Sequence, residues 1–217
     1  MIIKNLSEQN SLVKQFLAEI RNVDIQKDSL RFRRNVERIG EIMAYEISKT
    51  LGFKETDIQT PLGIKPTSVL SDKIVVASIL RAGLPFHQGF LNYFDQAENA
   101  YIAAYRKHTV GDEFEISLDY ISTPDLTDKV LLLVDPMLAT AWSMEKVYKA
   151  ILKYGKPAQV HLAAVISAQP GLEYIQKEFA GENITLWTAD IDPELDSKSY
   201  IVPGLGDAGD LAFGEKL

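Results

Sequence analysis

The sequence predicts an α/β protein in which a central parallel sheet is flanked by helices. Short, uninterrupted apolar runs alternate with segments of helical length, as expected for strands that are buried on both faces and joined by helical crossovers. The 217 residues, 46% of them hydrophobic, suffice for one well-formed core, so we expect a single domain over residues 1–217. The predicted strands are KIVVASIL (73–80), AYIAAYR (100–106), KVLLLVD (129–135), AQVHLAAVIS (158–167) and ITLWTA (184–189).

Two helices are predicted before the first strong strand. Apolar residues at helical spacing, from Leu12 to Ile20, place the first helix within residues 7–21. The second is longer, with Ser29 as a candidate N-cap and Gly52 just past its end. These helices predict an N-terminal layer packed against the sheet. The apolar face of the second helix comprises Phe32, Val36, Ile39, Met43 and Ile47.

Later helices are expected after the strands, at residues 84–94, near Trp142–Lys153 and around Gly171–Phe179. In a parallel sheet of this kind, ligands bind outside the carboxyl ends of the strands. The strand ends are therefore the first places to look for a site.

Three polar segments interrupt the alternation. Residues 107–128 contain Gly111, Pro124 and several acids, and we expect a projecting β-hairpin or flexible loop. Residues 53–72 form a second irregular stretch. The tail, residues 192–217, is rich in Gly, Pro and Asp, and is too irregular for a regular element yet too patterned for a disordered end.

Composition limits the classes of partner. The net charge of −7 argues against a nucleic-acid binder, although local arginines and helix ends still permit a small anionic ligand. There are no cysteines, and His87, His108 and His161 lack ligand spacing, so we expect no metal ligand from the protein itself. The N-terminus resembles no signal peptide and no apolar stretch approaches a membrane span, which predicts a cytoplasmic protein without a membrane partner.

The first candidate site runs from a buried strand into a helix, over residues 134–143. Such a loop offers backbone N–H groups and the positive end of a helix dipole, which suit a phosphate. Thr140 and Ser143 add hydroxyl donors, and Asp135 could accept hydrogen bonds from two ribose hydroxyls. On these residues alone, an ordinary strand-loop-helix junction explains the pattern equally well.

The second candidate is the strand end Arg81-Ala82-Gly83. An arginine there can bind a pyrophosphate with two parallel hydrogen bonds, and small residues leave the backbone amides accessible. Arg106-Lys107-His108 adds positive charge at another strand end. Alternatively, Gly83 permits a tight turn and these cations are a solvated rim.

The third candidate is the segment from Tyr200 to Asp210, which contains three glycines at positions 204, 206 and 209. Glycine allows close approach and positive φ, so this backbone could be shaped around a ligand. Its N–H and C=O groups could then read the edge of a base. A flexible C-terminal tail is the alternative.

Together these segments resemble the uracil phosphoribosyltransferase family. ILRAGL (79–84) is similar to its pyrophosphate loop, VDPMLAT (134–140) to its loop for 5-phosphoribosyl 1-pyrophosphate (PRPP), and PGLGDAGD (203–210) to its uracil-binding tail. Pro136 stands where the wider phosphoribosyltransferase motif has a second acid. The resemblance covers most of the chain and includes SLRFRRNVERIGEIMAYE (29–46) and TADID (188–192).

The resemblance implies a type I phosphoribosyltransferase fold and transfer of ribose 5-phosphate from PRPP to uracil, forming UMP and diphosphate in pyrimidine salvage. It also implies Mg²⁺ bound through PRPP, a homodimer or higher homo-oligomer, and GTP as a candidate effector. The segment 107–128 would be the flexible hairpin over the active site.

Site residues follow from the same resemblance. The catalytic residues implied are Arg106, Asp135 and Asp207, and the uracil-binding residues are Ile201, Gly206, Asp207 and Ala208. The PRPP-binding residues implied are Arg81, Arg106, Asp135, Pro136, Met137, Leu138, Ala139, Thr140, Ala141, Trp142, Ser143 and Asp207.

One departure from the family is Ala141-Trp142, where the family usually has Gly-Gly. We expect both residues to be helical, with the indole turned away from the phosphate. Two alternatives to uracil transfer stay open: a regulatory protein that binds PRPP or UMP without turnover, and an enzyme for a purine or orotate. Against the purine reading, purine enzymes of this fold keep the paired acids that Pro136 removes.

Overall fold

The computed structural model describes residues 1–108 and 114–216, and the side chains of these residues outside 105–116. The helices are α1 (Leu12–Arg21), α2 (Ser29–Ser48), α3 (Gly83–Leu91), α4 (Trp142–Ile151), α5 (Gln169–Glu178) and α6 (Ala208–Phe213). The strands are β1 (Ile2–Asn5), β2 (Phe53–Thr60), β3 (Gly63–Leu70), β4 (Ile74–Leu80), β5 (Glu98–His108), β6 (Phe114–Ser122), β7 (Val130–Val134), β8 (Met137–Leu138), β9 (Gln159–Ala168), β10 (Ile184–Asp192), β11 (Glu194–Leu195) and β12 (Ile201–Val202).

The central sheet has the strand order β1-β10-β9-β7-β4-β5-β6, and β8 continues the line of β7 along β9. Every neighbouring pair is parallel except β5 and β6. The predicted α/β sheet is confirmed, with β6 as an antiparallel edge. The short strand β1 was not predicted, because four residues with alternating exposure give little hydrophobic signal.

The core lies on both faces of this sheet. Alternate residues of each central strand point to opposite faces, so Val76 packs with α1, α2 and α3, whereas Val75 packs with α4 and α5. β7 is buried along its whole length, as its continuous apolar run predicts. The N-terminal helical layer is therefore confirmed, and it covers one face only.

Several boundaries differ from the predictions. The N-cap of α2 is Asp28, not Ser29: the Asp28 carboxylate accepts a hydrogen bond from the Arg31 N–H at 3.0 Å. Both residue types cap helices well, so composition alone could not choose between adjacent positions. The first helix lies within the predicted residues 7–21, beginning at Leu12 with Ser11 as its cap.

The prediction of an irregular stretch at residues 53–72 is wrong. β2 and β3 form a regular antiparallel hairpin in full register from Phe53↔Leu70 to Thr60↔Gly63. Most of its residues are exposed on both faces, so the alternation of apolar and polar residues that reveals a half-buried strand is missing.

The tail is more regular than predicted, since it contains β12 and α6. The predicted projecting hairpin also differs in its bounds. It is formed by β5 and β6 and thus begins well before residue 107, and residues 123–128 are not part of β6. Residues 109–113, which follow β5 and precede β6 in the sequence, lie outside the described residues. Within the described ranges, no helix is long and apolar enough to cross a membrane.

Candidate active site

The turn after β4 and the C-terminal tail meet at the carboxyl edge of the sheet. Arg81 directly follows β4, and its guanidinium donates hydrogen bonds to the Asp210 carboxylate at 2.8 Å and to the Gly214 carbonyl at 3.3 Å. The two side chains are 40% and 30% exposed. A β-carbon on Gly209 would lie 3.4 Å from the guanidinium, so the first turn of α6 packs directly on it. Two of the three predicted ligand segments are thereby brought together.

Asp207 both caps α6 and faces this junction. One carboxylate oxygen accepts hydrogen bonds from the backbone N–H groups of Gly209 at 2.8 Å and Asp210 at 3.0 Å. The other lies 3.7 Å from the Lys216 ammonium. The first oxygen is committed to the helix cap, so a ligand would be contacted through the second.

The loop after β7 is anchored to β9. The Asp135 N–H donates to the Ala163 carbonyl at 3.0 Å, and the Pro136 carbonyl accepts hydrogen bonds from the N–H groups of Val165 and Ile166, each at 3.0 Å. Asp135 is half-buried, and its carboxylate accepts a long hydrogen bond of 3.4 Å from the Met137 N–H. β8 then extends the pairing with β9, so the loop leaves the sheet only at Ala139.

Ala141 adopts a left-handed conformation, with φ 65° and ψ −1°, and is the N-cap of α4. The expectation that this residue is helical is therefore wrong, whereas Trp142 does begin the helix. The chain needs positive φ to turn from the loop into α4, a conformation that costs a non-glycine residue roughly 1–2 kcal/mol. Ala141 has no side-chain acceptor to cap the helix, which suits an N-terminus that receives a phosphate. Trp142 is 42% exposed.

Two glycines support the site and were not recognised as supporting residues from the sequence. A β-carbon on Gly171, in the first turn of α5, would lie 2.0 Å from the Ala139 carbonyl oxygen. One on Gly83 would lie 2.5 Å from the Ser78 hydroxyl. Gly171 therefore allows α5 to approach the loop after β8, and Gly83 allows the start of α3 to approach the side of β4. The sequence analysis placed Gly83 in a candidate loop and Gly171 in a helix, but it could not identify their contacts, because the partner in each case is set by tertiary packing.

The predicted uracil-binding residues divide into two groups. Gly206 and Asp207 line a cavity of about 250 Å³, together with five further residues. Ile201 and Ala208 are not among the lining residues and are buried in the core, 4% and 3% exposed. The further lining residues are Gln26, Leu205, Asp210, Leu211 and Glu215.

Arg106 lies in β5, where its backbone pairs with Ile116, but its side chain lies outside the described residues. Thr140 and Ser143 are half-buried around the start of α4. Among the described residues, no group of three or more His, Asp or Glu side chains comes together that could hold a metal ion. A magnesium site carried by the protein alone is therefore not seen in that part of the chain.

The fold is that of the type I phosphoribosyltransferases. A solved hypoxanthine phosphoribosyltransferase from Staphylococcus aureus superposes with a TM-score of 0.50, covering 75% of this chain and 76% of that one. Its sequence is only 11% identical, so this likeness concerns the fold alone. The AQ2163 protein from Aquifex aeolicus is far more similar, with a TM-score of 0.88, 30% identity and 98% of each chain covered.

Sequence comparison is more specific than fold. The family model described as uracil phosphoribosyltransferase matches residues 7–215. The uracil phosphoribosyltransferase of Porphyromonas gingivalis is 55% identical over 217 residues, 100% of both chains, and that of Methanothermobacter thermautotrophicus is 42% identical, covering 94% of this chain and 93% of the relative. The chain belongs to the uracil phosphoribosyltransferase family.

Proposed function

We propose that this protein transfers the phosphoribosyl group of PRPP to uracil, forming UMP and diphosphate. The observation that carries the proposal is the junction of Arg81 with Asp210, which joins a pyrophosphate-type loop to a base-reading tail. Two substrates bound side by side would suit this junction, one presenting a diphosphate to the loop and the other presenting a base to the tail. Family membership over residues 7–215 supports the same assignment.

On the PRPP side, we assign the ribose hydroxyls to Asp135 and the 5-phosphate to the loop that ends at Ala141. The start of α4 supplies N–H groups and a positive dipole end, and Thr140 and Ser143 supply hydroxyl donors. Arg81 and Arg106 would bind the pyrophosphate. Arg81 supports this role because its guanidinium already binds one carboxylate, and a guanidinium binds the oxygens of carboxylates and phosphates in the same way.

On the uracil side, the assigned readers are backbone groups of Ile201, Gly206, Asp207 and Ala208. Gly206 has φ 92°, a backbone conformation that residues with a side chain rarely adopt. The glycine therefore allows the peptide groups on either side of it to take orientations that another residue would disfavour. Donor and acceptor groups fixed on a backbone reject a base whose edge pattern differs, because a buried polar group would be left unpaired.

The chemistry is displacement at the anomeric carbon of PRPP. A bond forms from the uracil ring nitrogen to that carbon, the bond to the diphosphate oxygen breaks, and the proton of the ring nitrogen is released. Because no covalent enzyme intermediate is needed, the protein contributes by holding both substrates in line and by stabilising charge on the leaving diphosphate. Closure of the hairpin formed by β5 and β6 would exclude water from the reacting carbon.

Magnesium fits this site as an ion that arrives with PRPP. Hard oxygen ligands suit it and would come from PRPP, and the second Asp207 oxygen, beyond the one that caps α6, could accept a hydrogen bond from a water on the ion. When bound, the ion supplies positive charge to the leaving diphosphate. The homodimer or higher oligomer, the GTP effector and the cytoplasmic location remain predictions from the family.

A product assay tests the proposal directly. The protein is incubated with uracil, PRPP and Mg²⁺, and UMP and diphosphate are quantified, with Asp135→Ala as the variant that lacks the proposed ribose ligand. We expect equal amounts of the two products from the wild type and strongly reduced turnover in the variant. Binding of PRPP or UMP without any product would instead favour the regulatory alternative.

A further inference from the structure

Arg21, the last residue of α1, reaches the carboxyl end of β10. Its guanidinium donates to both carboxylate oxygens of Asp192, at 2.8 and 3.0 Å, and to the Asp190 carboxylate at 3.0 Å. The side chains of Arg21 and Asp192 are only 19% and 6% exposed. Such a two-pronged contact fixes the guanidinium plane as well as its position.

The same ion pair holds both polar backbone groups of Gly204. The Arg21 guanidinium donates to the Gly204 carbonyl at 2.8 Å, and the Gly204 N–H donates to the Asp192 carboxylate at 3.2 Å. Gly204 has φ 60°, and a β-carbon there would lie 2.0 Å from the Ile201 carbonyl oxygen. The turn is therefore tight, and hydrogen bonds to the Arg21–Asp192 pair hold both the N–H and the carbonyl of Gly204.

This turn lies between the residues assigned to read the base. Ile201 precedes Gly204, and Gly206, Asp207 and Ala208 follow it. Because Gly204 uses its N–H and its carbonyl on the ion pair, those groups are engaged away from a base and instead set the path of the tail. The PRPP loop after β7 is anchored separately, through β9.

We propose that Arg21 and Asp192 are positioning residues that set the affinity for the pyrimidine base through Gly204. The inference rests on the proposed function and deepens it, since it separates control of base binding from control of PRPP binding. Neither residue needs to touch uracil. Their effect is to hold the base-reading backbone in one place before the substrate arrives, which removes an ordering cost from binding.

The test compares Arg21→Lys with Arg33→Lys. Lysine keeps the charge but replaces a fork with a single ammonium, which cannot maintain the contacts to Asp190, Asp192 and Gly204 together. Arg33 is a matched control, because its guanidinium also donates to a carbonyl of the tail, that of Ala212 at 2.6 Å. Ala212 lies after the base-reading residues in the sequence, so the loss of this contact should not move them.

For Arg21→Lys we expect the KM for uracil to rise about tenfold, the scale of one lost charge-assisted hydrogen bond. The KM for PRPP should rise clearly less than that for uracil, because the PRPP loop after β7 is anchored separately through β9 and only Asp207 of the assigned PRPP residues lies on the tail. Arg33→Lys should change neither. Asp192→Asn keeps the size of the side chain and provides a second, independent test if Arg21→Lys fails to fold.

The double variant, Arg21→Lys with Asp192→Asn, should be little worse for uracil than either single variant, because the two residues act as one unit. Equal increases in both KM values, or an unchanged KM for uracil in folded Arg21→Lys and Asp192→Asn, would overturn the positioning role. Either of these contradicting results would leave the proposed function intact, provided that the wild type makes UMP. A wild type that makes no UMP from uracil would overturn both.

Discussion

His161 is a buried base in the core whose protonation should weaken the fold in mild acid. It lies in β9, is fully buried, and its Nδ1 accepts a hydrogen bond from the Trp187 indole N–H at 3.0 Å. The proton of the neutral ring must therefore be on Nε2, which has no hydrogen-bond partner among the described residues. Burial lowers the pKa of His161 from 6.5 to about 4.

The size and sign of the effect follow from linkage. Because the pKa of His161 is lower in the folded state, protons bind the unfolded chain more readily. The stability that comes from burying the neutral ring is therefore fully present above pH 6.5. As the pH falls from 6.5 to about 4, it is lost progressively. At about 1.4 kcal/mol for each pH unit between the two values, the free energy of unfolding should fall by about 3 kcal/mol.

Urea unfolding of the wild type and of His161→Asn, measured between pH 7 and pH 4, tests this reasoning. Asparagine does not titrate, and its amide oxygen can still accept the Trp187 N–H. Carboxylates and the other buried histidine, His87, are present in both proteins, so their contributions cancel in the difference. The wild type should lose about 3 kcal/mol more than the variant. Parallel curves would refute the assigned burial and protonation of His161.

Three further predictions concern the site. Gly171→Ala should raise the KM for PRPP about tenfold or more and leave the KM for uracil unchanged, because the new methyl would meet the Ala139 carbonyl of the PRPP loop. An unchanged KM for PRPP would contradict this prediction. Ala141→Gly should change the free energy of unfolding by less than about 1 kcal/mol, because relief of left-handed strain offsets a lost buried methyl and a looser unfolded chain. Ala141→Val should instead lower it by more than about 2 kcal/mol in the same urea assay. Asp210→Ala should raise the KM for PRPP by loosening Arg81, with a stability change below about 1 kcal/mol, whereas a lower KM would mean that the ion pair competes with substrate.

The central sheet was predictable because its strands are buried on both faces, and such strands appear in a sequence as continuous apolar runs. β7 and β9 are the clearest cases. The hairpin of β2 and β3 was missed for the opposite reason, since exposure on both faces leaves no apolar pattern to detect. An apolar pattern in a sequence indicates which residues are buried, so it reveals a strand only where at least one face of that strand is buried.

The sequence points to candidate site residues where a polar or charged side chain follows a buried strand, as at Arg81 and Asp135, and their roles stay predictions. The supports of the site were not predictable, because they depend on contacts between distant residues. Arg21 meets Asp192 across 171 positions of sequence, and Gly171 meets a carbonyl in another loop. Ala141 was predicted to be helical, but the turn into α4 imposes positive φ, which depends on the path of the loop and not on the residue type.

The central claim is that the tail containing PGLGDAGD (203–210) selects uracil. One competition experiment tests it: the protein receives PRPP, Mg²⁺ and an equimolar mixture of uracil, orotate, hypoxanthine and adenine, and each nucleotide product is quantified over time. We predict that UMP accumulates and that the other three bases remain unconverted. Conversion of any of those bases without formation of UMP would contradict the account.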